Sequence, residues 1–401
     1  MTALDRGDRL SEFVDRVINM LDDNRLMPRT SSLRPGRDRP PTDLVWPQSL
    51  TRPPDHVRVV YLDLNHWIGL AKANTGHSDG AGYVAALGAL RAADPTFVFP
   101  LSSVHYMEVA AIRDPRQRSD IATVIEEFSR FACLMSNSIL IQLEVDAVVA
   151  RRVGRPERIA PIPLLGHGVI QAFGMRGGLQ IRSPEGDRTD EARRSWPGGP
   201  EAFDAFRADA ELRLNRMALA GPSDAEVPGL QADGWDPTAA RRVAIDRAKQ
   251  ETEQAARLAA EPRWRRGRLR DLVAARYTMI EAMDALNDAL SFYGLTIDEF
   301  AGGSIDDARE FTDSMPSADV YISLMTAAHS NAQTTWEPND IFDIDAMSAA
   351  VAYSDVVVTE RHRAHLLNSG GVAQRHGTTV LSDIADLIPI VTAAQPHQAR
   401  C

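Results

Sequence analysis

Apolar positions set the first expectations. Leu10, Phe13, Val14, Val17, Ile18 and Leu21 recur at helical spacing and predict an amphipathic helix over residues 8–22. From 26 to 55 prolines and arginines dominate, so that stretch is expected to be a linker or extended arm. At 57 the pattern changes. HVRVVYLDL is β-branched and aromatic and predicts a strand; TFVFPL (96–101) and SILIQL (138–143) predict two more. Helices are expected at 66–73, 81–92, 102–112 (capped by Ser102 or Ser103) and 117–135. Strands alternating with helices imply a parallel sheet.

From 146 to 330 the periodicity is helical, with helices over 201–219, 237–260, 267–293 and 317–330 and a loop over 183–200 rich in Gly, Pro, Ser and charge. The α/β pattern then returns: FDIDAMSAAVAY (342–353) reads as a helix, DVVVTE (355–360) as a strand, RHRAHLLNS (361–369) as a helix and TTVLS (378–382) as a strand. The expected architecture is therefore an N-terminal helix and arm (1–55) and an α/β domain in two parts, 56–145 and 331–395, interrupted by a mainly α-helical insertion over 146–330.

Composition narrows this picture. A chain of 401 residues is expected to hold more than one domain. With 44% hydrophobic and 25% charged residues it has the balance of a soluble globular protein. No apolar run approaches the roughly 20 residues of a membrane helix, so no membrane partner is expected. The start, MTALDRGDRLSEF, lacks the features of a signal peptide. Cys133 and Cys401 alone make neither a disulfide framework nor a zinc site, and a reducing cytoplasm is the expected location. The net charge of −11 argues against a general nucleic-acid binder. Lysine occurs only at Lys72 and Lys249, so the positive charge is nearly all arginine, whose fork suits phosphate. A bias in genome composition explains that preference equally well.

Candidate chemistry follows from topology. Parallel α/β sheets place ligands beyond the carboxyl ends of their strands. The first strand ends in Asp63-Leu-Asn65, the second leads to Glu108, the C-terminal helix is expected to begin around Asp343-Ile-Asp345, and the strand after it ends in Thr359-Glu360. Carboxylates from distant segments thus gather at one edge. Such a group repels itself, and an all-oxygen set suits Mg²⁺ or Mn²⁺. Each residue also has a plainer reading: Asp63 as a turn residue, Asn65 as the cap of a helix starting at His66, Glu108 as a solvated helix residue, Asp343 and Asp345 as helix-start acids. His66 and His105 lack metal-type spacing and read as packing or hydrogen-bonding residues, with His105 on the same helix face as Glu108.

These segments resemble the PIN-domain nucleases. YLDLNHW resembles the family's first motif, which carries Asp63 and Asn65; SSVHYMEVA resembles the second, with Glu108; DAMSAAVAYSDVVVTER is the closest match, aligning Asp345 with the third acid and Thr359 and Glu360 with the last motif. Glu360 and Asp343 are both candidates for the fourth acid, and Asn339 and Asp340 lie just upstream. The resemblance covers 57–143 and 335–392. It implies a five-stranded parallel sheet and hydrolysis of RNA with Mg²⁺ or Mn²⁺, water attacking in line to leave a 5′-phosphate and a 3′-hydroxyl. Asp63, Glu108, Asp343 and Asp345 would serve the metal, Glu360 would join Asp63, Glu108 and Asp345 in catalysis, and Asn65 and Thr359 would position ion or phosphate.

In the insertion, Arg263, Arg265, Arg266, Arg268 and Arg270 crowd around Trp264, and Arg151, Arg152, Arg155 and Arg158 form a second group. Basic residues beside an aromatic suit a single strand, which makes Arg265 and Arg266 candidate RNA contacts; a solvated helix face paired with acids is the plainer reading. The insertion could also serve a homodimer or a regulatory protein partner. The main alternative to an endoribonuclease is a catalytically degenerate module that binds RNA or protein. A haloacid-dehalogenase-like site wants paired acids after strand one, where this chain has Asp63 and Asn65. There is no GxxxxGK loop and no GxSxG elbow.

Overall fold

In this computed structural model the described residues are 42–222, 225–261, 264–301 and 305–393. The expected helix at 8–22 and most of the arm lie outside them. The chain forms two compact units. Among the described residues, the α/β unit comprises Leu50–Leu140, Pro161–Gln250 and 336–393; the other, a helical unit, comprises 42–49, Ile141–Ala160 and Glu251–Thr335. The helical stretch 146–330 is therefore not one body, since residues 161–250 belong with the sheet.

The α/β unit is built on a parallel sheet flanked by helices. Five of its strands concern the site: β1 (Arg58–Leu62), β2 (Phe97–Val98), β3 (Ala132–Leu134), β4 (Val356–Val358) and β5 (Thr379–Leu381). Four of them form a parallel sheet in the order β5-β4-β1-β2, with Leu62 opposite Val358 and Val358 opposite Leu381. A parallel bridge between Leu101 and Cys133 runs from the chain after β2 to β3, with the Leu101 amide donating to the Ala132 carbonyl at 2.8 Å. On its own account β3 pairs antiparallel with Leu165–His167. The central strands are continuously apolar, as strands covered on both faces must be: Val59 to Leu62 and all of β4 are buried. Trp67, Leu70, Leu101, Val109 and Ile125 pack with them into one core.

One expected strand is corrected. SILIQL (138–143) lies in helix Asn137–Val153, and the strand sits earlier, at β3. A short apolar run has no period that separates a strand from a buried helical turn. The chain enters β3 through Arg130 and Phe131, both left-handed (φ 48° and 58°), which end helix Pro115–Ser129. Four helices position the site: α1 (Leu64–Asn74) after β1, α2 (Ser103–Ala111) after β2, α3 (Pro338–Tyr353) before β4 and α4 (Arg361–Ser369) after β4.

The helical unit contains helices Leu269–Tyr277, Met283–Tyr293, Ile305–Ser314 and Pro316–Ser330, the first two joined by a π-helical turn over Thr278–Ala282. Its buried charges are paired. Arg276 Nη2 donates to Glu251 Oε1 at 2.7 Å, and His329 Nε2 lies 2.8 Å from Glu251 Oε2. Arg270 Nη2 donates to both Asp313 and Asp319 at 2.8 Å. No helix among the described residues is long and apolar enough to cross a membrane.

Candidate acidic centre of the α/β unit

Asp63 follows the last residue of β1 and caps α1. Its backbone is extended (φ −64°, ψ 154°), its amide donates to the Val358 carbonyl at 2.9 Å, and its Oδ1 accepts from the Leu64 amide at 2.8 Å. This displaces Asn65 from the expected cap: the helix starts at Leu64, and Asn65 is an exposed residue in its first turn. The other oxygen of Asp63, Oδ2, accepts from the Thr359 hydroxyl at 2.8 Å. Thr359 is fully buried, and its amide donates to the Leu381 carbonyl. The carboxyl ends of β1, β4 and β5 are thereby tied together around the Asp63 carboxylate.

His105 is a structural residue of that edge. Its Nδ1 accepts from the Ser102 amide at 3.0 Å, so in the neutral ring Nε2 carries the proton and donates to the Leu62 carbonyl at 2.9 Å. Burial lowers its pKa to about 4, which keeps it neutral. His66 is likewise buried, with its Nδ1 3.2 Å from the Tyr83 hydroxyl, and burial lowers its pKa as well.

Glu108 lies three residues after His105, about one helical turn on. Burial first, then the charges of Asp63 and Asp343, push its pKa up to about 8. Asp343 is pushed up to about 7 by burial and by Asp63, with Glu360 adding to the rise and Arg363 opposing it. Asp63, Glu108 and Asp343, from three separate elements, thus share one partly buried, like-charged environment.

Asp345 is placed elsewhere. Helix α3 begins at Pro338 rather than near Asp343, so both acids sit within it, and two residues apart they point about 200° away from each other. Asp345 is gripped by Arg247, with Nη1 at 2.5 Å from Oδ2 and Nη2 at 3.2 Å from Oδ1. Its expected position in the trio is taken by Asp343. Glu360, expected among the catalytic acids, is the cap residue of α4 and is 46% exposed. It stands 3.7 Å from Arg363 Nε. Arg363 itself is buried and donates from Nη2 to Asp340 Oδ1 at 2.7 Å and to Asp343 Oδ2 at 3.4 Å. The sequence carries one signal for this arginine: it falls three residues after Glu360 in a helix, on the same face.

The arginines of the helical unit take the plainer reading. Trp264 is buried and donates from Nε1 to Glu261 at 3.1 Å, so its ring is not offered to a base. Arg265 Nη2 reaches the Ala255 carbonyl at 3.5 Å. The side chain of Arg266, and all of Arg263, lie outside the described residues. Arg152 pairs with Asp307 and lies over the Phe300 ring, Arg158 pairs with Asp146 and lies over Phe292, and Arg155 meets the Tyr293 carbonyl.

Among the described residues no group of three or more His, Cys, Asp or Glu is gathered closely enough to hold a metal ion as it stands. In donor chemistry the trio is all oxygen, as a hard divalent cation prefers, and burial first, then the Asp63 charge, raises Glu108 and Asp343. Comparison with protein-family models, curated proteins and solved structures returns no match.

Proposed function

We propose that the α/β unit is a metal-dependent nuclease, acting on RNA, whose centre is Asp63, Glu108 and Asp343. The observation that supports this most is that Glu108 and Asp343, half-buried, are raised by burial and then by the charge of Asp63, the buried acid at the end of β1. Burying like charges together is costly, and such sites are usually functional. The strand order adds support. The parallel sheet has four strands, β5-β4-β1-β2, and the isolated parallel Leu101–Cys133 bridge lies on the side where the PIN resemblance would add a fifth.

Asp63, Glu108 and Asp343 would hold Mg²⁺ or Mn²⁺, and the ion would supply a Lewis acid for the phosphodiester and a lowered pKa for bound water. The chain's own groups do the positioning. Thr359 and the Leu64 amide fix the two oxygens of Asp63, and His105 fixes the strand end that presents it. Glu108, with a pKa near neutrality, is suited to carry a proton at the site. The test is cleavage of end-labelled single-stranded RNA with Mn²⁺. Wild type should cut and Asp63→Asn should cut at least about 10²-fold more slowly; equal rates would place the activity elsewhere.

The alternative, a non-catalytic module, draws on Arg363, which already neutralises part of the acidic group. Such a module would bind RNA or a protein without cutting and would bind no Mn²⁺. A homodimer, a regulatory partner and a cytoplasmic setting remain compatible with either reading.

A further inference from the structure

Residues 173–182 of the α/β unit keep large apolar side chains in water. Phe173 is 48% exposed, Met175 61% and Ile181 38%. Burying such side chains is favourable, so a group of them held out together marks a contact surface. The backbone fixes them there. The Gly174 amide donates to the Gln171 carbonyl at 2.9 Å, the Met175 amide to the Ile170 carbonyl at 3.0 Å, and the Leu179 amide to Glu211 Oε1 at 2.8 Å. Gly174 has φ +84°, and a Cβ there would lie 2.7 Å from the Ser136 hydroxyl, so this turn requires glycine. The Phe173 ring is supported by Tyr106 of α2, with centroids 6.4 Å apart, and is still half in water.

The charge beside this ring is positive. Arg176 is exposed and, among the described residues, its guanidinium makes no ion pair. Arg182 donates from Nε and Nη2 to the amide oxygen of Gln180, at 3.1 and 2.8 Å, rather than to a carboxylate. Asp187, opposite it in the hairpin, accepts instead from the amide and hydroxyl of Thr189 at 2.9 and 2.6 Å. By contrast Arg188, Arg193, Arg207 and Arg213, close by in sequence, each face a carboxylate. An exposed aromatic on a fixed backbone beside unneutralised arginines suits a single strand: a base stacks on the ring and phosphates meet the guanidinium forks. A protein partner would use the apolar side chains equally well, and the arginines favour the polyanion. Resting on RNA as the ligand of the α/β unit, though not on any bound metal, we propose that Phe173, Arg176 and Arg182 form a contact surface for single-stranded RNA. Phe173 stacks a base, and the two arginines hold phosphates.

The test is fluorescence anisotropy of a short labelled single-stranded RNA titrated with the full chain in EDTA, so that binding is read without cutting. Phe173→Ala should weaken binding about fivefold or more, the loss of one base stack, with unchanged salt dependence. Phe173→Trp should bind like wild type. Arg176→Gln should weaken binding and lower the slope of log affinity against log salt by roughly 0.7, one phosphate contact. Phe292→Ala, which removes an exposed ring of the helical unit, should change nothing. No binding by wild type, a folded Phe173→Ala that binds within about twofold of it, or an unchanged slope for Arg176→Gln would overturn the inference. So would sedimentation in which Phe173→Ala dissolves a dimer of this chain while RNA affinity stays the same, since the surface would then be a protein interface. Wild type that binds through Phe173 but cuts nothing with Mn²⁺ would keep the surface and sink the nuclease reading; wild type that cuts RNA yet binds it independently of Phe173 would do the reverse.

Discussion

The two units differ in what surrounds their charged side chains. In the helical unit Glu251 is shared between Arg276 and His329, Arg270 lies between Asp313 and Asp319, and Glu144 accepts from both the amide and the hydroxyl of Ser317. Each of these charges meets an opposite charge or a donor, as a buried charge in a stable core must. In the α/β unit Asp63 also has donors, the Leu64 amide and the Thr359 hydroxyl, and Asp343 has Arg363, but both share a partly buried, like-charged environment with Glu108. The first pattern holds a fold together. The second weakens it, and the proposed nuclease reading would offset that cost with a bound cation.

That contrast can be broken by mutation. The largest effect is expected at Asp63. Asn also caps a helix, so Asp63→Asn should fold normally while cleavage falls by roughly 10²–10³-fold, the cost typical of losing one electrostatic contact to developing charge. Single-turnover assays on folded protein check it, and a merely structural Asp63 would show no such split. Next in size is Glu251→Ala. It strands Arg276 without its carboxylate and should cost about 3–5 kcal/mol in denaturant unfolding while leaving Mn²⁺ binding unchanged. Loss of Mn²⁺ binding in a folded sample would contradict the separation of roles.

The pH dependence sharpens the same comparison. Glu108 and Asp343 have folded pKa values of about 8 and about 7, raised above their ordinary values of 4.5 and 3.8. The folded state therefore holds protons that the unfolded state has released. The stability they contribute is fully present below about pH 4 and is lost as pH rises towards 8, by at most about 1.4 kcal/mol per pH unit for each group. In metal-free protein Glu108→Gln should flatten that slope; an unchanged slope would show that Glu108 titrates normally. By the same logic Mn²⁺ binding near pH 6.5 should release protons, seen as a dependence of binding heat on the buffer. The smallest effect is expected at Asp345. Asp345→Asn loosens a partly exposed ion pair with Arg247 and should cost about 1 kcal/mol or less, with cleavage within a few-fold of wild type.

Much of this was legible in the chain. The strands around Val60 and Val357 announced themselves as apolar β-branched runs, and the places of Asp63 and Thr359 followed from where those strands end. What was not legible depended on phase. DIFDID offers Asp340, Asp343 and Asp345 together, and only the fold shows that Asp340 and Asp343 meet Arg363 whereas Asp345 meets Arg247. The same holds for Arg363. Its face is readable once a helix is placed at Arg361, but its burial depends on Asp340 arriving from another helix. SILIQL misled because a run of alternating and adjacent apolar residues fits a strand as well as a buried helix, whereas β3 is only three residues long and is set by the left-handed turn before it. The arginines of the helical unit were readable as charge but not as pairs, since Asp307, Asp313 and Asp319 are distant in sequence.

The assignment of Asp343, rather than Asp345, to the acidic centre is the claim on which the nuclease reading depends. Mn²⁺ titration of Asp343→Asn and Asp345→Asn side by side tests it without any substrate. The account predicts that Asp343→Asn loses Mn²⁺ affinity by at least about tenfold, as loss of a ligand or its support typically does, while Asp345→Asn binds like wild type. The reverse result would contradict it.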